Sequence, residues 1–157
     1  YHCADCQERV SAEKLVRLRQ LPACVIISLK RMAYDMESQQ RIKIHQRCEF
    51  PLDLDLRPYM SDAAISAAEL YRLTGVVVHS GSAQSGHYYA FAQQRDSSQW
   101  LRLDDRQVTP VSTDVLLEQS YGGVKRVDAD ASVSSYLNAN EMKAYSAYLL
   151  VYERVEP

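Results

Sequence analysis

The chain has 157 residues, 46% of them hydrophobic and 24% charged, with a formal net charge of -2. That length suits one domain, or a piece of one, with a sizeable core, and the composition is that of an ordinary globular protein. The slightly acidic balance supplies no basic field for nucleic acid or an anionic membrane, and no apolar run approaches a transmembrane span. The chain opens on Tyr1 without a leader pattern and is expected to be cut from something longer. Its four cysteines, Cys3, Cys6, Cys24 and Cys48, are too few and too unevenly placed for a secreted disulfide framework. An intracellular, reducing location, cytoplasmic or nuclear, is expected.

In chain order, residues 14–18 read as weakly extended. Residues 24–32 (CVIISLKRM), following Leu21-Pro22, form a β-branched run that predicts a central strand. Residues 41–44 are a weaker extended segment, and the alanine-rich stretch 61–70 predicts a turn or two of helix. A valine-rich strand is predicted over 71–80. Residues 88–93 and 99–103 read as a hairpin pair joined by the polar turn Arg95-Asp96-Ser97-Ser98. Thr113 is placed to cap a short helix running to Ser120, with Asp114 in its first turn and Gly122-Gly123 stopping it. Residues 128–143 lack clear periodicity and read as a surface insertion, helical near 140–144. A last strand is predicted over 147–155. The sum is an α+β protein, mainly antiparallel sheet with small helices.

Chemistry concentrates between His79 and Asp105. Two strands are joined by small, flexible residues, Ser80 to Gly86, with His79 at one end and His87 at the other. Gly81 and Gly86 relax the backbone, so the loop is suited to moving over a ligand. His87 opens the next strand, and the segment Trp100-Leu101-Arg102-Leu103-Asp104-Asp105 ends the one after it. A carboxylate there can reach the far nitrogen of the His87 ring, fix its tautomer and stabilise the imidazolium. Residue types alone do not decide the matter, because a histidine beside an acid is more often a structural pair.

The order of motifs resembles the C-terminal half of a ubiquitin-specific protease catalytic domain. Val77-Val78-His79-Ser80-Gly81, then Gly86-His87-Tyr88-Tyr89, Trp100, Asp104-Asp105 and Val108 follow the family's histidine box. Tyr121-Gly122-Gly123 and Ser146-Ala147-Tyr148-Leu149-Leu150-Val151-Tyr152 follow its later motifs, the latter with serine where the family has asparagine. Upstream, Leu21-Pro22, Leu29-Lys30-Arg31 (with Met32 in place of phenylalanine) and Phe50-Pro51-Leu52-Asp53-Leu54 match in order.

The resemblance implies a papain-like cysteine protease fold, with residues 1–20 ending the fingers region and residues 21–157 forming the palm. It implies a deubiquitinating thiol protease that hydrolyses the bond after the terminal glycine of ubiquitin. His87 would be the general base and Asp104 its orienter, with Asp105 a competing candidate. Gly86 and Tyr88 would border the slot for the substrate's Gly-Gly tail, as would the loop 80–86 and the segment 36–48. The nucleophile belongs to an N-terminal cysteine box that this sequence does not contain. Cys24 and Cys48 are expected to be inert, buried or half-buried thiols, and the chain alone to be inactive. The implied partners are ubiquitin, ubiquitinated proteins and the N-terminal half of the same catalytic domain. Cys3 and Cys6 would form half of a structural zinc site with His2 facing solvent, the other two ligands coming from an earlier pair. The alternative function is a non-catalytic ubiquitin-binding or scaffolding domain.

Overall fold

The computed structural model describes residues 1–61, 70–124 and 142–155. Its main body is an antiparallel sheet of seven strands in the order β1-β9-β5-β6-β7-β8, with β4 also paired to β5. The strands are β1 (Cys24–Ser28), β4 (Asp53–Asp55), β5 (Leu70–Gly81), β6 (Gly86–Gln93), β7 (Trp100–Asp104), β8 (Gln107–Val111) and β9 (Tyr145–Arg154). A separate hairpin, β2 (Met32–Asp35) with β3 (Gln40–Lys43), stands beside the sheet. An α-helix, α1 (Thr113–Ser120), packs on the main sheet against β9 and β5.

β5 is the spine, and its residue pattern shows why. Tyr71, Leu73, Val76 and Val78 are all buried, yet the step from Leu73 to Val76 is three rather than two. The pairing with β9 shifts register between Leu73 and Gly75, so a bulge restores the same face to the core. Tyr89 and Phe91 from β6, Trp100 from β7, Ala147, Leu150 and Tyr152 from β9, and Leu116 from α1 join the cluster, with Phe50 and Leu56 from the segments flanking β4. Two of the tyrosines join packing to hydrogen bonding: Tyr152 donates its hydroxyl to the Pro51 carbonyl at 2.7 Å and Tyr121 to that of Phe50 at 3.1 Å. Each ring fills the core while its polar tip satisfies a backbone oxygen.

The strand predicted over 24–32 is two strands in two sheets. β1 ends at Ser28, and buried Arg31 then turns inward to donate to the carbonyls of Ile44, Gln46, Tyr121 and Ala147. Five guanidinium donors serve several chain segments at once, which breaks the strand and pins the hairpin against β9. β3 is anchored in the same way: Lys43 Nζ donates to the carbonyls of His79, Gly81 and Ala144.

The helix cap lies one residue earlier than predicted. Ser112 is extended and its hydroxyl accepts from the Val115 N–H at 3.3 Å, while Thr113 is already helical. Gly122 and Gly123 end the element with φ of +72° and +86°. Residues 14–18 form no strand; only Leu18 bridges, in parallel, to Met60. The helical reading at 61–70 falls largely outside the described residues, though Leu70 itself belongs to β5, and the insertion read over 128–143 lies almost wholly outside them. The helical reading at 140–144 fails over its described part, where Met142 bridges to Val124 and Lys143 and Ala144 are not helical.

Candidate active site

The β5–β6 hairpin carries the first half of the site. Ser80 pairs with His87 and Gly81 with Gly86, so the strands run closer to the turn than expected. The turn is internally bonded: the Ser82 N–H donates to the Ser85 carbonyl at 2.8 Å, and the Ser82 hydroxyl accepts from the N–H groups of Gln84 and Ser85. Gln84 Nε2 ties it to the Arg41 carbonyl on β3 at 3.0 Å.

Gly86 admits no side chain. A Cβ there would lie 2.2 Å from His79 Nε2 and 2.5 Å from the Ser80 carbonyl oxygen. Buried His79 packs against the Tyr88 ring at 4.8 Å between centroids. Burial, and secondarily the Lys43 ammonium, hold its pKa below the ordinary imidazole value, so the ring stays neutral.

Strand alternation turns His87, Tyr89 and Phe91 to one face of β6. Asp104, at the end of β7, reaches the same face. His87 Nε2 stands 2.6 Å from Asp104 Oδ1, and the second oxygen, Oδ2, accepts from Arg102 Nη2 at 2.6 Å. The hydrogen bond to Asp104 raises the His87 pKa, and the bonds from His87 and Arg102 lower that of Asp104. The pair therefore favours an imidazolium beside a carboxylate. Nδ1 of His87 has no hydrogen bond among the described residues, and the ring is 48% exposed. Asp105 sits in the β7–β8 turn with φ of +51°, and its carboxylate comes within 4.8 Å of the His87 and Asp104 ligand atoms. Asp104, not Asp105, makes the bond to the ring.

Gly86 and Tyr88 line one cavity of about 480 Å³ between the hairpin turn and β2–β3. Tyr34, Arg41, His79 and Gln84 share it. Tyr34 comes to the wall only through packing of the separate hairpin, which local sequence does not display, whereas Arg41 lies within the 36–48 segment that the resemblance placed beside the slot. His79 is visible in sequence as the partner histidine of the loop, but its supporting place under Gly86 is not.

Cys3 and Cys6 sit in a tight knuckle. Cys3 N–H donates to the Glu8 carbonyl and Gln7 N–H to the Cys3 carbonyl, each at 3.0 Å, and Gln7 takes φ of +58°. The backbone N–H of Cys6, then that of Asp5, lowers the Cys3 thiol pKa, which suits a metal-bound thiolate. His2 is exposed, as expected. The knuckle offers two sulfur ligands, and among the described residues no third ligand type gathers with them. The donor set fits half of a tetrahedral zinc site.

Cys24 is exposed at the start of β1, not buried, because β1 is an edge strand and Cys24 points off the core face. Cys48 is half-buried beside Arg31. Two strands, β9 and β5, separate β1 from β6, and Cys48 lines a different cavity. Neither thiol joins the His87 cluster.

The antiparallel palm-like sheet, its helix and the histidine hairpin make this an α+β fold of the papain-like cysteine protease class. The family model described as "Ubiquitin carboxyl-terminal hydrolase" matches residues 1–152, and the chain belongs to that family of deubiquitinating hydrolases. Ubiquitin carboxyl-terminal hydrolase 15 of Schizosaccharomyces pombe is 39% identical over 145 residues, covering 91% of this chain and 12% of its own length. Ubiquitin C-terminal hydrolase 13 of Arabidopsis thaliana is 37% identical over 159 residues, covering 98% of this chain and 14% of its own. Among solved structures, the SAGA Ubp8/Sgf11/Sus1/Sgf73 DUB module bound to ubiquitin aldehyde aligns with a TM-score of 0.70 at 25% identity, over 99% of this chain and 30% of that one. The chain thus spans a small fraction of the relatives it matches.

Proposed function

We propose that this chain is the base-and-orienter half of a deubiquitinating thiol protease, with the nucleophilic cysteine supplied from outside the 157 residues. The observation that carries the reading is His87, bonded through Nε2 to Asp104 at 2.6 Å with Nδ1 left open. A thiol approaching Nδ1 would give up its proton to the ring, and Asp104 would stabilise the imidazolium that results. The thiolate would then attack the carbonyl after ubiquitin's terminal glycine. His87 would return the proton to the departing lysine amine, and water activated by the same ring would release ubiquitin from the thioester. Gly86 and Tyr88 would wall the slot for the Gly-Gly tail, whose lack of side chains suits a cleft floored by a glycine that tolerates none. Residues 1–20 would end the fingers, with Cys3 and Cys6 in half of a structural zinc site.

The partners that follow are ubiquitin, ubiquitinated proteins and the N-terminal half of the catalytic domain, with no nucleic acid and no membrane. Four cysteines too few and too unevenly placed for a disulfide framework support an intracellular location. The test is hydrolysis of ubiquitin carrying a C-terminal amide reporter by the complete protein. Release of reporter, blocked by thiol alkylation, is expected. Ubiquitin binding without release would instead support the non-catalytic scaffold.

A further inference from the structure

Arg102 precedes Asp104 by two residues on β7, so both side chains leave the same face of the strand. Its guanidinium makes contacts on two sides. Nη2 donates to Asp104 Oδ2 at 2.6 Å, on the oxygen that His87 does not use. The guanidinium carbon also lies 4.3 Å from the centroid of the Tyr89 ring. Tyr89 is buried, and its hydroxyl donates to Gln119 Oε1 on α1 at 3.3 Å. Burial pushes the Tyr89 phenol up to about 12, so it remains a neutral donor. A continuous set of contacts therefore runs from α1 through Tyr89, Arg102 and Asp104 to the His87 ring.

We propose that Arg102 is a positioning residue for the His87–Asp104 pair, fixing the carboxylate's orientation and sharing its charge so that His87 can release a proton as well as take one. The proposal rests on the function proposed above. A carboxylate held by one oxygen turns freely about its last torsion, which is broad and soft. Anchoring Oδ2 leaves Oδ1 aimed at the imidazole. A planar guanidinium can lie over an aromatic ring and still present an N–H to a carboxylate, which an ammonium does less well.

Charge gives the second half of the argument. The charged groups that act on His87 are Asp104, Asp105 and Arg102, and Arg102 alone among them opposes the imidazolium. Without it, the ring would keep Asp104 and Asp105 beside it and lose the opposing charge that Arg102 supplies. A base held too strongly protonated is a poor acid toward a leaving amine.

The experiment compares the complete wild-type protein with Arg102→Met and Arg102→Lys. It measures kcat and KM on the ubiquitin amide reporter, and the His87 titration midpoint by histidine C2–H exchange mass spectrometry. For Arg102→Met, kcat is expected to fall by about tenfold to a hundredfold, while KM stays within about twofold. The His87 midpoint is expected to rise by roughly half a pH unit or more. Arg102→Lys should bring the midpoint back toward wild type while recovering only part of kcat. Unchanged kcat and midpoint in Arg102→Met would overturn the proposal. A lowered kcat with an unmoved midpoint and a depressed melting temperature would reduce Arg102 to a structural residue and overturn it as well. If wild type releases no reporter, the proposed function fails, and the midpoint comparison still decides whether Arg102 governs the pair.

Discussion

Both oxygens of Asp104 are committed, Oδ1 to His87 and Oδ2 to Arg102. An asparagine at this position can offer its oxygen to only one of them, and its NH₂ group must then face a donor. Asp104→Asn is therefore expected to lower kcat on the ubiquitin reporter by about a hundredfold, from loss of charge and of ring orientation together. Asp105 stands at φ of +51°, a conformation that asparagine adopts readily, and accepts no bond from the ring. Asp105→Asn should stay within about threefold of wild type. A larger loss at Asp105 than at Asp104 would reverse the assignment.

At this scale His87 and the acidic pair were legible through the order of motifs shared with the family, since a histidine beside an acid does not by itself separate a catalytic pair from a structural one. Choosing between Asp104 and Asp105 was not possible from spacing. The chain turns between them, and only the turn decides which carboxylate faces β6. The supporting roles of Arg102 and His79 were hidden for a related reason. Each depends on a cross-strand neighbour, Tyr89 for one and Gly86 for the other.

Among the elements, the Cys3–Cys6 knuckle, proposed above as half of a zinc site, gives the sharpest prediction. The bridge of His2 to Arg9 closes a small hairpin around Cys3 and Cys6, with N–H groups already lowering the Cys3 thiol pKa. The complete protein is expected to carry about one tightly held zinc, as four-ligand structural sites do. Cys3→Ser or Cys6→Ser should release it and lower the melting temperature. Metal analysis of the wild-type protein showing no zinc would remove the site. The long strands β5, β6 and β9 were readable because alternation or valine-rich runs mark them over many residues. β4 and β8 were not. β4 has only three residues, and β8 is an edge strand exposed along nearly its whole length and containing Pro110, so neither shows a burial pattern. The expected single strand over 24–32 failed at Arg31, whose inward turn answers to carbonyls far along the chain.

Across the whole molecule, the strand order explains how the site is held. β9 lies between β1 and β5 and pairs along the strand that leads to His79 and the histidine turn. Arg31 and Lys43 then fasten the β2–β3 hairpin to that junction through backbone carbonyls. His87 thus stands on the sheet next to Gly86 and Tyr88 of the cavity wall, with Nδ1 free of hydrogen bonds among the described residues. The α+β class was evident from the strand and helix pattern; the placing of β9 between β1 and β5 was not, since pairing between strands distant in sequence leaves no local mark.

The most direct measurement is turnover of the ubiquitin C-terminal amide reporter by the complete protein carrying His87→Ala, with ubiquitin affinity and melting temperature recorded beside it. Loss of kcat by about a thousandfold or more, with binding and fold retained, is the expected result. Turnover within about tenfold of wild type would contradict the role of His87 as the base.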